Sequence, residues 1–448
     1  MGGPLHHPPG GPPPPVGEET RRDRRATPQP SSPPPTGEGD HAQHAGGGSP
    51  IAFNLENLPP SFHENPYPTY RALRERDPVH RMPNGGLFLT RYGDVERVYK
   101  DPATFASDKK VEFGEKFGPS PLFDHHTTSL VFNDPPLHTR VRSIIGGALT
   151  PRAIGAMEPG VVALVDGLLD RMAKRGPHAD VIEDFAAAIP IEVIGNLLGV
   201  PRDEREPLRD WSLAILGALE PGSQPARLAA GNAAVVEFVA YLETLVARRR
   251  ASPGDPEQDL LTRLILGEQG GERLSEAELL QNVVFILNAG HETTTNLIGN
   301  GLHILLDRPE DRARLVAEPD LARLAVEEIL RFESSNQLGN RASTAPFEMA
   351  GHPFPAGTSL TLCIGAANRD PAEFPDPDRF DIGRRPNRHL AFASGIHRCV
   401  GLAVAQLEGR IALLRFLARF PDYRADGTPE RGMRVRFRGF AKLPVRLW

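Results

Sequence analysis

The sequence predicts a mainly α-helical chain with small β-sheets beside the helices. From Pro151 to about Arg250 one Ala- and Leu-rich amphipathic pattern follows another, broken by Gly176-Pro177, Pro201 and Pro221. Ser275-Glu-Ala-Glu278 reads as a capping box that opens an apolar helix running to about Leu306, ahead of Arg308-Pro309. At the standard rise its 31 or so residues span roughly 46 Å, enough to cross a whole domain. Leu87 to Tyr92 alternates as a short strand does.

Composition sets the bounds. The chain has 448 residues, 39% hydrophobic and 24% charged, which is enough for a sizeable core. Length alone allows two or three domains. The formal net charge of −6 gives no bulk signal for nucleic acid. Two cysteines in so long a chain point to a reducing compartment. No uncharged apolar run of about 18 residues occurs and no apolar leader opens the chain, so a cytoplasmic protein without a membrane anchor is expected.

In chain order, residues 1–50 are rich in Pro, Gly, His and Ser and can bury almost nothing. A disordered tail is expected there, with the folded domain over 51–448. After the strand, Asp94 to Lys100 reads as a short helix ended by Asp101-Pro102. Residues 107–130 show no clear period and carry Phe113, Phe117, Leu122 and Phe123, the signature of a long aromatic loop over a pocket. Pro135-Pro136 delays the next helix to Leu137, and on it His138 and Arg142 share a face.

The middle of the long helix reads Asn288-Ala-Gly-His-Glu-Thr-Thr-Thr295. Gly, Thr and Asn are weak helix formers and a buried Glu is costly, so local logic fails where function is to be sought. Ala289 and Thr293 lie one turn apart. Further on comes Phe392-Ala-Ser-Gly-Ile-His-Arg-Cys399-Val-Gly401, running straight into an apolar helical pattern from Leu402 to Phe416. A cysteine at a helix mouth meets unpaired N–H groups and the positive end of the helix dipole, which favour thiolate. Gly395 permits a tight turn, Gly401 lets something flat approach the backbone, and Phe392 offers an aromatic face. A disulfide with Cys363 needs an oxidising compartment, and a zinc site needs a second Cys/His pair that the chain lacks. The residues are suited to presenting one sulfur anion to a large planar ligand such as haem.

At these residues the chain resembles the cytochromes P-450, whose cysteine loop reads Phe-x-x-Gly-x-His/Arg-x-Cys-x-Gly; a second glycine often follows the Phe, where this chain has Ala393. The stretch 289–294 is similar to the family's Ala/Gly-Gly-x-Asp/Glu-Thr-Thr. Glu328-Ile-Leu-Arg331 is similar to its Glu-x-x-Arg, and Ala367-Asn-Arg-Asp-Pro371 also fits. The resemblance covers about 51–448. It implies the mostly α haem-thiolate fold, with haem b between the long helix and the cysteine loop, Cys399 as the iron ligand and O2 as co-substrate.

The same resemblance implies the roles of the other residues. Thr293 would hydrogen-bond the oxygen being activated, Glu292 would deliver protons, and Ala289 and Gly290 would leave room for O2. His138, Arg142, Arg341 and His397 would neutralise the haem propionates, with Phe392 and Gly401 beside the ring. Glu328, Arg331 and Arg379 would form a structural ion network. Phe285, Asn288, Asn336 and Gln337 would line the substrate side, the three amides making a polar edge suited to an oxygenated steroid, terpenoid or aromatic compound. The chain has no dinucleotide-binding Gly-x-Gly-x-x-Gly and no ferredoxin-like cysteine set. Electrons are therefore expected from a ferredoxin and its NAD(P)H-dependent reductase, with Arg398 facing that partner. A peroxide-driven or reductant-independent haem-thiolate enzyme and a non-catalytic haem sensor are the alternatives.

Overall fold

The computed structural model describes residues 51–448 apart from 223, 270 and 271; the expected tail lies outside the described residues. The organising element is the central helix Glu276–Leu306, which starts where the capping box places it. Ser275 Oγ accepts from the Glu278 N–H at 3.2 Å, and the Glu278 carboxylate accepts from the Ser275 N–H at 2.8 Å. Helices Ala188–Leu197, Leu208–Gly217, Ala322–Phe332 and Leu402–Arg419 pack around it.

The central helix serves two apolar cores. Its first half gives Leu279, Val283 and Leu287 to a core shared with Ile215, Phe238 and Leu242. Its second half gives Leu297, Ile298 and Leu302 to a core shared with Val326, Ile329, Leu413 and Phe416. Each such buried side chain contributes about 1.5–3 kcal/mol. Residues 288–296 fall between the cores, which is why the fold tolerates polar residues there. Among the described residues one helix, Pro225–Ala251, is long and apolar enough to cross a membrane. Its Phe238, Leu242, Leu245 and Val246 are buried in the first of these cores.

A five-stranded sheet lies to one side, in the order Val79–Arg81, Leu87–Leu89, Ser359–Cys363, Leu338–Ser343 and Phe105–Ala106. The expected strand at Leu87 is present but ends at Leu89, and all three residues are buried. Leu87 and Leu89 face one apolar cluster and Phe88 the opposite one, so the sheet is covered on both sides. The next helix begins at Tyr92, two residues earlier than expected, because the Asp370 carboxylate accepts from the Tyr92 N–H at 2.8 Å.

Two expectations are corrected. Residues 107–130 are not a loop: they hold helices Lys110–Phe117 and Pro121–Thr128, the second capped by Ser120. Eight residues are too few to show a period, and the Phe113, Phe117 and Phe132 rings gather around His126. The second correction concerns the ion network. Arg331 donates to Glu328 at 2.7 and 2.8 Å, both side chains fully buried, as expected. The third charged partner, however, is Arg384, 3.2 Å from Glu328. Arg379 gives only its backbone carbonyl, to Arg331 and Arg384. The neighbouring Phe380 turns inward against Phe332, and this leaves the Arg379 side chain exposed.

Candidate active site

The cysteine loop is a tight turn closed by the Cys399 N–H on the Phe392 carbonyl at 2.9 Å. Ala393 and Gly395 both have positive φ, 55° and 67°. Gly395 is required, since a Cβ there would collide with the Tyr99 carbonyl oxygen. Ala393 stands in the same left-handed region without glycine's freedom. Phe392 is part-buried against the core, its ring 5.8 Å from that of His389. Gly401 caps helix Leu402–Arg419, and a Cβ on it would meet nothing within 4 Å.

Both cysteines are free thiols. Burial pushes the Cys399 thiol up, against the pull of the Gly401 N–H and the charges of Arg142 and Arg398. The helix end therefore does not secure a thiolate by itself; a metal cation in place of the proton would. Burial pushes Cys363 up to about 12, as befits an inert core thiol.

Four basic side chains expected to act together do converge. The His138 and His397 rings lie 4.1 Å apart. Arg142 and Arg341 are close enough to perturb both rings, and Arg142 also perturbs Cys399. Arg341 lies over the Tyr99 ring at 5.1 Å and donates to its neighbour's carbonyl, that of Asn340, at 2.7 Å. Burial first, then His397 and Arg142, lower His138 to about 4. Neither of its ring nitrogens has a hydrogen-bond partner among the described residues, and His397 Nε2 reaches only Asp134, at 3.5 Å. Unpartnered imidazoles between two guanidiniums beside a free thiol match a flat iron-bearing group with carboxylate arms. Haem fits the residues present.

The central helix opens at one stripe. Ala289 is exposed, and Phe285 and Thr293, one turn to either side, are partly exposed, in a helix otherwise largely buried. Thr293 Oγ1 donates to the Ala289 carbonyl at 2.7 Å. Glu292 is buried and accepts from Arg434 Nη1 at 2.7 and 2.6 Å. Burial nevertheless pushes its carboxyl up to about 7, against Arg434's pull. Sequence reasoning missed Arg434, which sits 142 residues away with no local spacing to betray it.

Two readings of this region change. Gly290 faces Ile194, whose Cδ1 a Cβ would strike, so the glycine serves close helix packing and Ala289 alone leaves open room. The three amides do not form one polar edge. Gln337 is fully buried, donates to the Ser334 carbonyl at 2.7 Å and fills the space left by Gly365. Asn336 accepts from the Leu338 N–H at 3.4 Å. Neighbouring residues entering a strand take opposite faces, which separates the two. Asn288 is 2% exposed, with neither amide atom partnered among the described residues.

Comparison with known proteins agrees with this geometry. Residues 227–431 match the family model described as Cytochrome P450. The chain is 41% identical to Cytochrome P450 107B1 of Saccharopolyspora erythraea, over 86% of this chain and 96% of that one. It is 37% identical to the Vitamin D(3) 25-hydroxylase of Pseudonocardia autotrophica, over 86% and 94%. Among solved structures it resembles P450BioI in complex with a hexadec-9Z-enoic acid ligated acyl carrier protein, with a TM-score of 0.81, 34% identity, and coverage of 86% of this chain and 99% of that one. A cysteine turn, a converging basic set and an opened central helix, in a fold shared along nearly the whole length of such relatives, place the chain in the cytochrome P450 family, as a cytochrome P450 monooxygenase.

Proposed function

We propose that residues 51–448 act as one haem-thiolate domain that inserts one oxygen atom of O2 into a hydrophobic organic substrate. Electrons would come from a ferredoxin served by an NAD(P)H-dependent reductase. The observation that carries this reading is the convergence of Cys399, His138, Arg142, Arg341 and His397, in a fold whose central helix carries the open stripe Phe285, Ala289, Thr293. Haem bound on Cys399 supplies the activation of O2.

The chain's own residues do the rest. The basic set holds the propionates, and Gly401 and Phe392 flank the ring. The Thr293 hydroxyl can exchange the Ala289 carbonyl for an oxygen atom in the open space. Glu292, close to half-protonated at neutral pH, holds the proton to be passed on, and Arg434 competes for its carboxylate. Arg398 is exposed beside Cys399, where an acidic ferredoxin would meet positive charge. The Glu292–Thr293 pair favours a reductant-driven enzyme over a peroxide-driven one. Two free cysteines suit a reducing, cytoplasmic setting. Relatives are described as acting on vitamin D(3) and as bound to a fatty acyl carrier protein, which supports a large, mostly apolar substrate here.

The test is the reduced carbon monoxide spectrum. Cys399→Ala should abolish the red-shifted Soret band of a thiolate-ligated haem, and Cys363→Ala should keep it. In turnover with ferredoxin and reductase, Thr293→Ala should divert reductant from product to hydrogen peroxide. A band that survives Cys399→Ala sinks the ligand assignment.

A further inference from the structure

Outside the residues already assigned, a second basic cluster is walled in beside the site. Lys109 is 2% exposed, and Lys116 and Arg436 are part-buried. The charge of Arg436 acts on both lysines, and that of Arg341 on Lys109. They come from the helical segment 110–128 and its lead-in and from the segment Arg434–Arg438. The first lies on the central helix through His125 Nδ1 and Gln281 at 2.9 Å and through the Leu130 N–H and Asn282 at 2.9 Å. The second is tied to strand Leu338–Ser343, since Arg436 donates to the Leu338 carbonyl at 2.9 Å and to the Asn340 side chain. That strand carries Arg341, and the Arg434 end of the segment holds Glu292. Each wall of the cluster thus also carries part of the site.

The charges do not balance. Of the nearby carboxylates, Glu112 is taken by Lys109 at 2.8 Å. Glu220 accepts the backbone N–H groups of Val435, Arg436 and Phe437. Lys116 has the Glu220 backbone carbonyl, at 2.8 Å, and the Phe117 ring, at 5.4 Å to its centroid, and Arg436 has the Leu338 and Asn340 oxygens. Among the described residues neither touches a carboxylate. Two nitrogens nearby are buried and unpartnered, the donor Arg436 Nε and, in a residue 2% exposed, the imidazole nitrogen His126 Nε2. Glu112 and Glu220 act on both cations from a distance, but with Arg341 the basic groups outnumber these carboxylates, and a part-buried ammonium and guanidinium that no carboxylate touches, next to an unspent guanidinium donor, make a receptor for an anion.

We infer that Lys116 and Arg436, backed by Lys109 and His126, anchor a carboxylate on the substrate. The substrate class is an amphiphile with one acid group and a long apolar body, not a neutral compound. This rests on the reading of the site as a monooxygenase pocket. The neighbouring Phe113, Phe117 and Phe132 rings supply apolar surface beside the anchor.

The test is calorimetric titration of the haem-loaded enzyme with dodecanoate, methyl dodecanoate and dodecanol. Wild type should bind the acid about tenfold or more tightly than either neutral probe, the effect of a charge-assisted hydrogen bond. Lys116→Gln, at a part-buried position, should cut that preference severalfold and leave the carbon monoxide band unchanged. Arg436→Gln should do the same if it folds. Equal binding of the three probes by wild type, or full acid preference in Lys116→Gln, overturns the anchor. An intact band with no acid preference condemns the anchor alone. A missing band with acid preference retained condemns the haem-thiolate reading alone.

Discussion

Exchanging the two small residues of the cysteine turn should have opposite effects. Ala393, at φ 55°, occupies a region that costs an L-residue about 1–2 kcal/mol. Ala393→Gly removes that cost but adds about 0.4–1 kcal/mol of unfolded-state entropy. The net expectation is a gain of about 0.5–1 kcal/mol. Gly395→Ala incurs the same dihedral cost and also drives a methyl into Tyr99, onto its carbonyl oxygen and 3.1 Å from its carbonyl carbon. Those are backbone atoms and cannot rotate aside. Overpacking of this kind adds about 1–3 kcal/mol and the alanine returns about 0.4–1 kcal/mol of unfolded-state entropy, for a total loss of about 1–4 kcal/mol. Urea unfolding followed by circular dichroism gives both values, and the carbon monoxide band reports the turn itself, because Cys399 is held by the Phe392 carbonyl. Ala393→Gly should raise the midpoint and keep the band; Gly395→Ala should lower both. Wild-type stability and a full band in Gly395→Ala would refute the reasoning.

Other outcomes follow from single contacts. With its carboxyl raised from 4.5 to about 7, Glu292 contributes stability that is complete below about pH 4.5 and lost as pH rises through 7. The wild-type minus Glu292→Gln difference in unfolding free energy should therefore fall across that window, and turnover should lose an ionisation near 7 in the variant. Glu328→Gln strands a fully buried Arg331 and should cost about 3–5 kcal/mol, while Arg379→Ala, at an exposed side chain, should stay within about 0.5 kcal/mol by urea titration. Gly290→Ala meets only the Ile194 side chain, whose end can rotate aside, so it should cost about 0.5–1.5 kcal/mol, and adding Ile194→Val should recover part of it. If it does not, the glycine is there for some other reason.

The parts of the fold legible in the sequence were those with a signal inside one short stretch. The central helix announced itself by Ser275, Glu278 and a long apolar period, and the cysteine turn by Phe392, Gly395, Cys399 and Gly401. Pairings between distant segments left no such trace. Glu292 with Arg434 and Glu328 with Arg384 are choices among many arginines that only the folded chain makes, and in the second the family pattern pointed to the wrong one. Helices of eight residues at 110–128 are below the length at which periodicity speaks. Gln337 looked like a pocket residue by the place of its loop in the family pattern, yet the missing side chain of Gly365 drew it inward.

The order of strands in the main sheet has a consequence for biosynthesis. Leu87 pairs in parallel with Leu360, and strand Leu338–Ser343, which supplies Arg341, is reached only through that partner. At about 5–20 residues per second, the ribosome takes some tens of seconds to make the intervening chain. Throughout that interval Leu87, Phe88 and Leu89 emerge as an apolar strand with one partner, Val79–Arg81, and an unpaired edge on the other side. The nascent chain thus carries an apolar strand edge early and its complement late, a natural client for a holding chaperone, and haem capture through Arg341 must wait for the same late event.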